Sequence, residues 1–328
     1  MPQVKTALGF RDHLGSARAR AGMARNQYKV NPGLYCTGTP SSEAPVLVTA
    51  NYKLSFDSLR RELAGMDAWI LVVDTRGINV WCAAGKGTFS DDEVALQVKR
   101  TGLARIVSHR ELILPQFAAT GVASYKLKKK CGFSGVFGPL RAKDIRNFMK
   151  NSRQADETMR AVTFTFVERL VLVPVEILLI WKMVALVTVI SCIVSGIGPD
   201  IFALQAAWTR GLTVAGATIS AVLAGALITP LLLPWIPGRQ LWFKGAIVGV
   251  VTGILYLLTA LGESESIEKL SIMLWITGAA SYLAMNFTGA TPYTSLSGVE
   301  KEMRRGLPFQ CITALSSLLL WVASPFIY

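Results

Sequence analysis

The sequence predicts an α/β domain with a Rossmann-like, doubly wound, mostly parallel sheet, followed by an all-α domain of five transmembrane helices. Three observations lead there. Apolar, strand-like runs alternate with helical segments through the first half, the rhythm of βαβ units. Charge is concentrated in the same half: residues 1–160 carry 25 Lys/Arg and 13 Asp/Glu, a net +12, whereas residues 161–328 carry 9 and 8, a net +1. The second half also holds long blocks without any charge: 211–238, 245–262, 270–299 and 306–328. A chain of 328 residues that is 52% hydrophobic is long enough for two domains and too apolar for a purely soluble protein.

In chain order, residues 1–44 read as an N-terminal extension. Its opening, "MPQVKTALGFRDHLGSARAR", has no apolar core segment, so no signal peptide is expected. The first domain spans 45–155. "PVLVTA" (45–50) predicts a buried strand. "SFDSLRRELAGM" (55–66) places Phe56, Leu59, Leu63 and Met66 on one helix face, with Ser55 as N-cap. "AWILVVD" (68–74) predicts a second buried strand. "SDDEVALQVKRTG" (90–102) opens with an N-cap serine and three acids and closes with Lys99, Arg100 and Gly102, a full set of helix signals. "ARIVSH" (104–109) predicts a further strand. In such a sheet, ligands bind beyond the carboxyl ends of the strands.

Residues 156–173 read as a linker or juxtamembrane helix, and 174–328 as the transmembrane domain. About 20 apolar residues are needed to cross a bilayer as a helix. The expected spans are roughly 174–195, 212–233, 241–261, 270–288 and 308–327. Lys and Arg crowd the residues before the first span and recur at Arg239, Lys244, Lys301, Arg304 and Arg305. The remaining loops carry Arg210 and Lys269, the latter in the acidic "GESESIEK". The positive-inside rule then places the N-terminal domain in the cytoplasm and the C-terminus outside a multi-pass cytoplasmic membrane protein. Glu176 and Lys182 would mark an ion path if deep in the membrane. If Pro174 starts the span, they sit at headgroup level and snorkel instead. The spans show no paired carboxylates and no inverted repeat, so a transporter has no positive support.

The five cysteines, Cys36, Cys82, Cys131, Cys192 and Cys311, form no CxxC pair. The usual zinc and iron–sulfur motifs are therefore missing, and buried thiols in a reducing compartment are expected to be small core residues, Cys82 excepted. "AAGKGT" is like part of a phosphate-binding loop, but Val80 stands where the P-loop pattern needs its first glycine, and no GxGxxG occurs. "KLKKK" (126–130) has no aromatic stacking platform beside it, so it reads as a solvated edge and no nucleic-acid partner is expected.

Cys82 has a distinctive setting. It follows the second strand within "NVWCAAGK" (79–86). Asn79 is a good N-cap; Val80 to Ala84 would form one helical turn; Gly85 and Gly87 would end it. Free N–H groups and the helix dipole at a first turn favour a thiolate. Alanines beside the cysteine could leave a flat face for a planar macrocycle, with Trp81 anchoring the turn below. A thiolate so presented suits an axial bond to a metal already held in its own ring.

"NVWCAAGK" is similar to the cap-helix signature of the mercury-methylating corrinoid protein family. "PVLVTANYKLSFDSLRREL", "AWILVVDTRGINVWCAAGKGTF" and "GPLRAKDI" (138–145) also resemble the corrinoid domain of the corrinoid iron–sulfur protein of acetyl-CoA synthesis, which lacks the membrane half. The resemblance implies a corrinoid-dependent methyltransferase. Its cofactor would be a cobalamin-type corrinoid, bound base-off, with Cys82 as lower axial ligand to cobalt, and methyl-Co(III) would pass its methyl to Hg(II). Thr49, Asn51, Asn79, Val80, Trp81, Ala83, Ala84, Gly85, Lys86, Gly87 and Thr88 are the candidate corrinoid contacts. It further implies a methyl-donating methyltransferase system and a small ferredoxin-like iron–sulfur protein as electron donor and mercury donor, with Lys126 and Lys128–Lys130 as contacts. The other functional classes are a membrane transporter with a regulatory domain and a thiol-based metal carrier.

Overall fold

The computed structural model describes residues 1–23, 25–261, 265–291, 294 and 296–327. They fall into two units, Met1–Thr163 and Phe164–Tyr328. In the first unit, α1 (Phe10–Arg20) precedes strand β1 (Gly33–Thr37). Strand β2 (Val46–Ala50) leads into α2 (Lys53–Glu62), and β3 (Ala68–Val73) into α3 (Val80–Gly85) and α4 (Asp91–Thr101). Strand β4 (Glu111–Leu114) is followed by α5 (Ser124–Cys131), and β5 (Ser134–Phe137) by α6 (Ile145–Lys150) and α7 (Glu157–Arg160). The sheet order is β1-β3-β2-β4-β5, with β1 antiparallel to β3 and every other pairing parallel. Successive parallel strands add to opposite sides of β2, so the crevice between the carboxyl ends of β2 and β4 is the switch point of the sheet.

Both central strands are buried on both faces. Val46, Val48, Leu71 and Val73 pack with Ala83, Val94, Val98 and Leu127 on one side. Leu47, Ile70 and Val72 pack with Phe56, Leu59, Ile145 and Phe148 on the other. Each such aliphatic side chain contributes roughly 1.5–3 kcal/mol by leaving water, which is why these strands read as unbroken apolar runs.

Several elements differ from the sequence reading. The strand expected at 104–109 lies at Glu111–Leu114. Left-handed Gly102 ends α4 and starts a short 3-10 turn at Leu103–Arg105, so Val107 reaches the core without sheet pairing. Helix α2 begins at Lys53 rather than after Ser55, with Tyr52 at the N-cap position. The segment read as an N-terminal extension supplies edge strand β1, held by β3 from Gly33↔Val72 to Thr37↔Ala68.

Among the described residues the second unit contains five long helices: Phe166–Val194; Leu204–Val222, continued through a π-helical segment to Leu231; Leu241–Ala260; Ser266–Asn286; and Leu296–Ile327. All five are long and apolar enough to cross a membrane. The first starts at Phe166, capped by Thr165 and Glu168, so Pro174 lies inside it and does not start it. Arg210, counted above as a loop residue, belongs to the second helix. Its guanidinium reaches Glu268 at 2.9 Å, the carbonyls of Ser195 (3.1 Å) and Trp321 (2.6 Å) and Ser324 Oγ (2.7 Å), tying four helices together. The third and fourth helices touch backbone to backbone: a Cβ on Gly245 would lie 2.4 Å from that of Ala284, the close approach that small residues permit. The acidic loop before the fourth helix lies partly outside the described residues.

Helix α1 is tied to α2 by charge. Asp12 meets Lys53 (2.6 Å) and Arg60 (2.9 Å), which also pair with Asp57 at 2.6 and 2.7 Å. Burial alone would raise the Asp12 carboxyl, but hydrogen bonds from Lys53, the Gly9 N–H and Arg60 outweigh it and hold the group well below the usual carboxylate range. A carboxyl depressed on folding stabilises above its unfolded pKa of ~3.9, and that contribution fades as pH falls toward the folded value. Asp12→Asn should therefore cost about 1–3 kcal/mol at neutral pH. Thermal midpoints of the two proteins should converge as the pH drops below about 4; a gap that stays constant with pH would remove the carboxylate from the account.

Candidate functional site

Strand β3 stops at Val73 and the chain turns sharply. Asp74 Oδ1 accepts from the Arg76 N–H at 2.9 Å. Arg76 (φ 60°) and Gly77 (φ 77°) are both left-handed, so the chain swings back over the sheet edge before α3. One side chain fixes this loop. Asn51, just past β2, accepts on Oδ1 from the N–H groups of Thr75 (3.1 Å) and Gly77 (2.9 Å), and its amide donates to Asp74 Oδ1 at 2.9 Å. The Thr75 hydroxyl lies 2.9 Å from Asn51 Oδ1 and 2.7 Å from the Ile78 carbonyl, and shares its one proton between them.

Asn79 then caps α3, its Oδ1 accepting from the Cys82 N–H at 2.8 Å. At the other end, the N–H groups of Lys86, Gly87 and Thr88 close onto the carbonyls of Cys82 (3.0 Å), Ala84 (3.2 Å) and Ala83 (2.9 Å). The turn is thus stapled at both ends. Its orientation corrects one expectation: Val80, Ala83 and Ala84 are buried in the core, so the alanines form no exposed flat face. They let the turn sit close to the domain. A Cβ on Gly121 would lie 3.0 Å from Ala84 Cα, which shows how tight that seat is. Trp81 is half-buried with its ring 6.4 Å from that of Phe117; it flanks the turn, and the anchoring beneath falls to Val80, Ala83 and Ala84. Cys82 is half-buried and Gly85, Lys86 and Gly87 are exposed.

Beside the turn, at the switch point, lies a cleft of about 170 Å³ lined by Thr49, Ser55, Ser58, Val80, Phe117 and Gly138 among others. The structure therefore brings Thr49 and Val80 to the cleft, and gathers Asn79, Trp81, Cys82, Gly85, Lys86, Gly87 and Thr88 on the turn. Ala83 and Ala84 lie beneath it. Asn51 is engaged with the loop, and Thr88 Oγ1 lies 3.3 Å from the Ala83 carbonyl. Ser58 and Phe117 went unremarked in the sequence, and Ser55 was read there as a helix cap, not as a cleft residue. The misplaced strand at 104–109 hid Phe117, because the segment after the real β4 is the one that reaches the cleft.

The other polar candidates have internal roles. Cys36 is buried, with Sγ 3.8 Å from the Pro2 carbonyl. Burial pushes the Cys131 thiol up, and it donates to the Leu127 carbonyl at 3.3 Å. His109 bridges the Ala44 carbonyl (3.0 Å) and the Glu111 N–H (3.3 Å). Among the described residues no three His, Cys, Asp or Glu side chains converge as a metal cage. The donor set at the turn is one accessible sulfur, with open space beside it: a Cβ on Gly85 or Gly87 would meet nothing within 4 Å. That fits a metal that brings its own equatorial ring.

The first unit is similar to known proteins. Residues 23–149 match the family described as CO dehydrogenase/acetyl-CoA synthase delta subunit. Similar curated proteins are gamma subunits of the acetyl-CoA decarbonylase/synthase complex. That of Methanopyrus kandleri is 37% identical over 128 residues, 38% of this chain and 27% of the relative. That of Methanocaldococcus jannaschii is 31% identical over 130 residues, 39% of this chain and 26% of the relative. The gamma 2 subunit of Methanosarcina thermophila is 32% identical over 120 residues, 35% and 25% of the two chains. The chain spans about a quarter of the length of the curated relatives it matches.

Two substitutions separate the supports of the turn. Asn79→Ala removes one cap and should cost about 1 kcal/mol. Asn51→Ala strands buried donors on Thr75 and Gly77 and should cost about 2–6 kcal/mol, at 1–3 for each group left unpaired. Denaturant midpoints should rank wild type, Asn79→Ala, Asn51→Ala in falling order; an Asn51→Ala protein as stable as wild type would show that the loop is held by something else.

Proposed function

We propose that the chain is a corrinoid-dependent methyltransferase whose methyl acceptor is Hg(II), with the Cys82 thiolate as lower axial ligand to the cobalt of a base-off corrinoid. The observation that carries this reading is the placement of Cys82: a single half-buried sulfur on a turn otherwise fixed by caps and core, two residues after Val80, which lines the switch-point cleft. A bound corrinoid would supply a cobalt centre that carries the methyl group. The protein's own part is positional and electronic. Asn79 and the buried Val80, Ala83 and Ala84 hold the turn rigid, so the sulfur is presented at a fixed height. The Cys82 sulfur would donate charge to the metal of a bound corrinoid, and such tuning of a metal by its ligand field is the protein's lever. Trp81 and Phe117 form an apolar flank, and Thr49, Gly87 and Thr88 are candidate contacts at the ring's edge. Similarity to acetyl-CoA synthase subunits supports the corrinoid; "NVWCAAGK" followed by five apolar helices supports the mercury acceptor.

The helical unit, in this reading, spans the cytoplasmic membrane. Leu179, Trp181, Leu186 and Leu258 are among many large apolar side chains left exposed, which water tolerates poorly in such numbers and lipid accepts. The charge bias orients the N-terminal unit to the cytoplasm and the C-terminus outward. Regenerating the cofactor needs a low-potential donor, so a small ferredoxin-like iron–sulfur protein is the proposed partner, alongside a methyl-donating methyltransferase. Lys126, Lys128 and Lys129 are exposed and available to steer it. Lys130 is engaged with Asp91 and Asp92.

The purified protein should carry cobalt and a corrinoid spectrum. Cys82→Ala should keep the fold but abolish mercury methylation, and Cys82→His should retain corrinoid with a changed spectrum and at most weak activity. Cys36→Ala and Cys131→Ala should be nearly silent. A Cys82→Ala protein with wild-type activity and an unchanged cobalt spectrum would sink the assignment. Cobalt-free protein that supports solute flux would point to a transporter, and mercury binding that survives without corrinoid to a metal carrier. For topology, a reporter fused after residue 328 should be active only in a form that works after export; cytoplasmic activity would rule out an odd number of spans.

A further inference from the structure

A cleft of about 940 Å³ opens within the helical unit, where the first helix starts, the second ends, the third starts and the fifth starts. Five cations line it: Arg169, Arg239, Lys244, Lys301 and Arg305. Its carboxylate, Glu302, is buried and already engaged, taking the N–H groups of Leu241 (2.8 Å) and Trp242 (3.1 Å) at the start of the third helix. Arg169 is only 4% exposed. It donates to the carbonyls of Phe164 and Leu231, yet its Nε has no partner among the described residues. A buried guanidinium with an open N–H calls for an acceptor. Arg239, Lys301 and Arg305 are exposed at the rim, and Trp242 adds an amphipathic ring of the kind that sits at headgroup level.

We infer that this cleft binds a phosphate ester, the headgroup of an anionic phospholipid in the cytoplasmic leaflet. The inference rests on reading the five helices as membrane spans. The same basic loops that orient such a protein are here gathered around one cavity, with a buried guanidinium inside it and an aromatic wall. Basic pockets between transmembrane helices on the cytoplasmic side recognise anionic headgroups through this combination. Arginine supplies the directed N–H bonds and the rim supplies long-range attraction.

The test uses the full-length chain in neutral detergent, titrated with dioctanoyl phosphatidylglycerol, dioctanoyl phosphatidylcholine or inorganic phosphate and read by native mass spectrometry. Phosphatidylglycerol should bind saturably, in preference to phosphatidylcholine. The rim variant Arg239→Gln/Lys301→Gln/Arg305→Gln should bind it roughly 100-fold more weakly, at ~1 kcal/mol for each cation removed. The matched variant Lys126→Gln/Lys128→Gln/Lys129→Gln should bind as wild type. Inorganic phosphate that displaces the lipid would assign the cleft to a soluble phosphate ester, and failure to displace would assign it to the lipid. Equal binding of both lipids, or equal loss in the two triple variants, would overturn the inference. Alkaline carbonate extraction separates this from the parent reading: a chain released from membranes defeats the spans, whereas a retained chain blind to phosphatidylglycerol defeats only the cleft.

Discussion

The carboxamide of Asn51 joins two parts of the first unit that must not move independently. Its own N–H is part of the sheet, donating to the Val73 carbonyl at 2.9 Å, while its side chain collects the loop that follows β3. An amide is the group that can accept from two N–H groups and donate to the Asp74 carboxylate at once. An aspartate here would put two carboxylates together, and an aliphatic residue would leave the left-handed turn at Arg76 and Gly77 without its acceptor. The position of the cap turn is therefore inherited from the sheet. Cys82 is placed by a residue thirty-one positions earlier in sequence.

A similar contrast runs through the two arginines of the helical unit. Arg210 has every branch of its guanidinium engaged, and its plane lies over Trp321 at 4.4 Å. A half-buried charge with partners on three other helices ties a bundle together, since removing it would leave Glu268 without its cation. Arg169 is further withdrawn from solvent but leaves Nε open beside a cleft, with no partner among the described residues. The two residues have the same chemistry and opposite completeness, and completeness separates a structural ion from a receptive one.

How much of this was legible in the sequence depended on whether the determining interaction was local. Ser90 and Gly102 bound α4 as expected because capping acts over three or four residues, and Asn79 caps α3 for the same reason. The buried strands 46–50 and 68–73 were visible because both faces are apolar. Ile106 and Val107 also look strand-like, but the left-handed Gly102 sends them into a turn, and only the position of β4 against β5 reveals it. Strand β1 is held by pairing with residues thirty to forty positions away, which no local pattern encodes. The direction of Ala83 and Ala84 was misread because a six-residue helix is too short for periodicity to say which side faces the core.

The region of similarity to acetyl-CoA synthase subunits, residues 23–149, runs from before β1 into α6. It takes in the sheet, the switch-point cleft and the cap turn, and ends before the helical unit begins at Phe164. Under the proposed function this is the region that would hold and tune the cofactor, a task set by the few ångströms around Cys82. Choice of acceptor is a different task, because it depends on what can approach the opposite face of the bound ring and on where the protein resides. Those determinants need not lie in the sheet at all. Under the proposed function, a chain with this cap turn and five apolar helices would carry methyl groups in surroundings of its own, and on physical grounds that is where its acceptor would be selected.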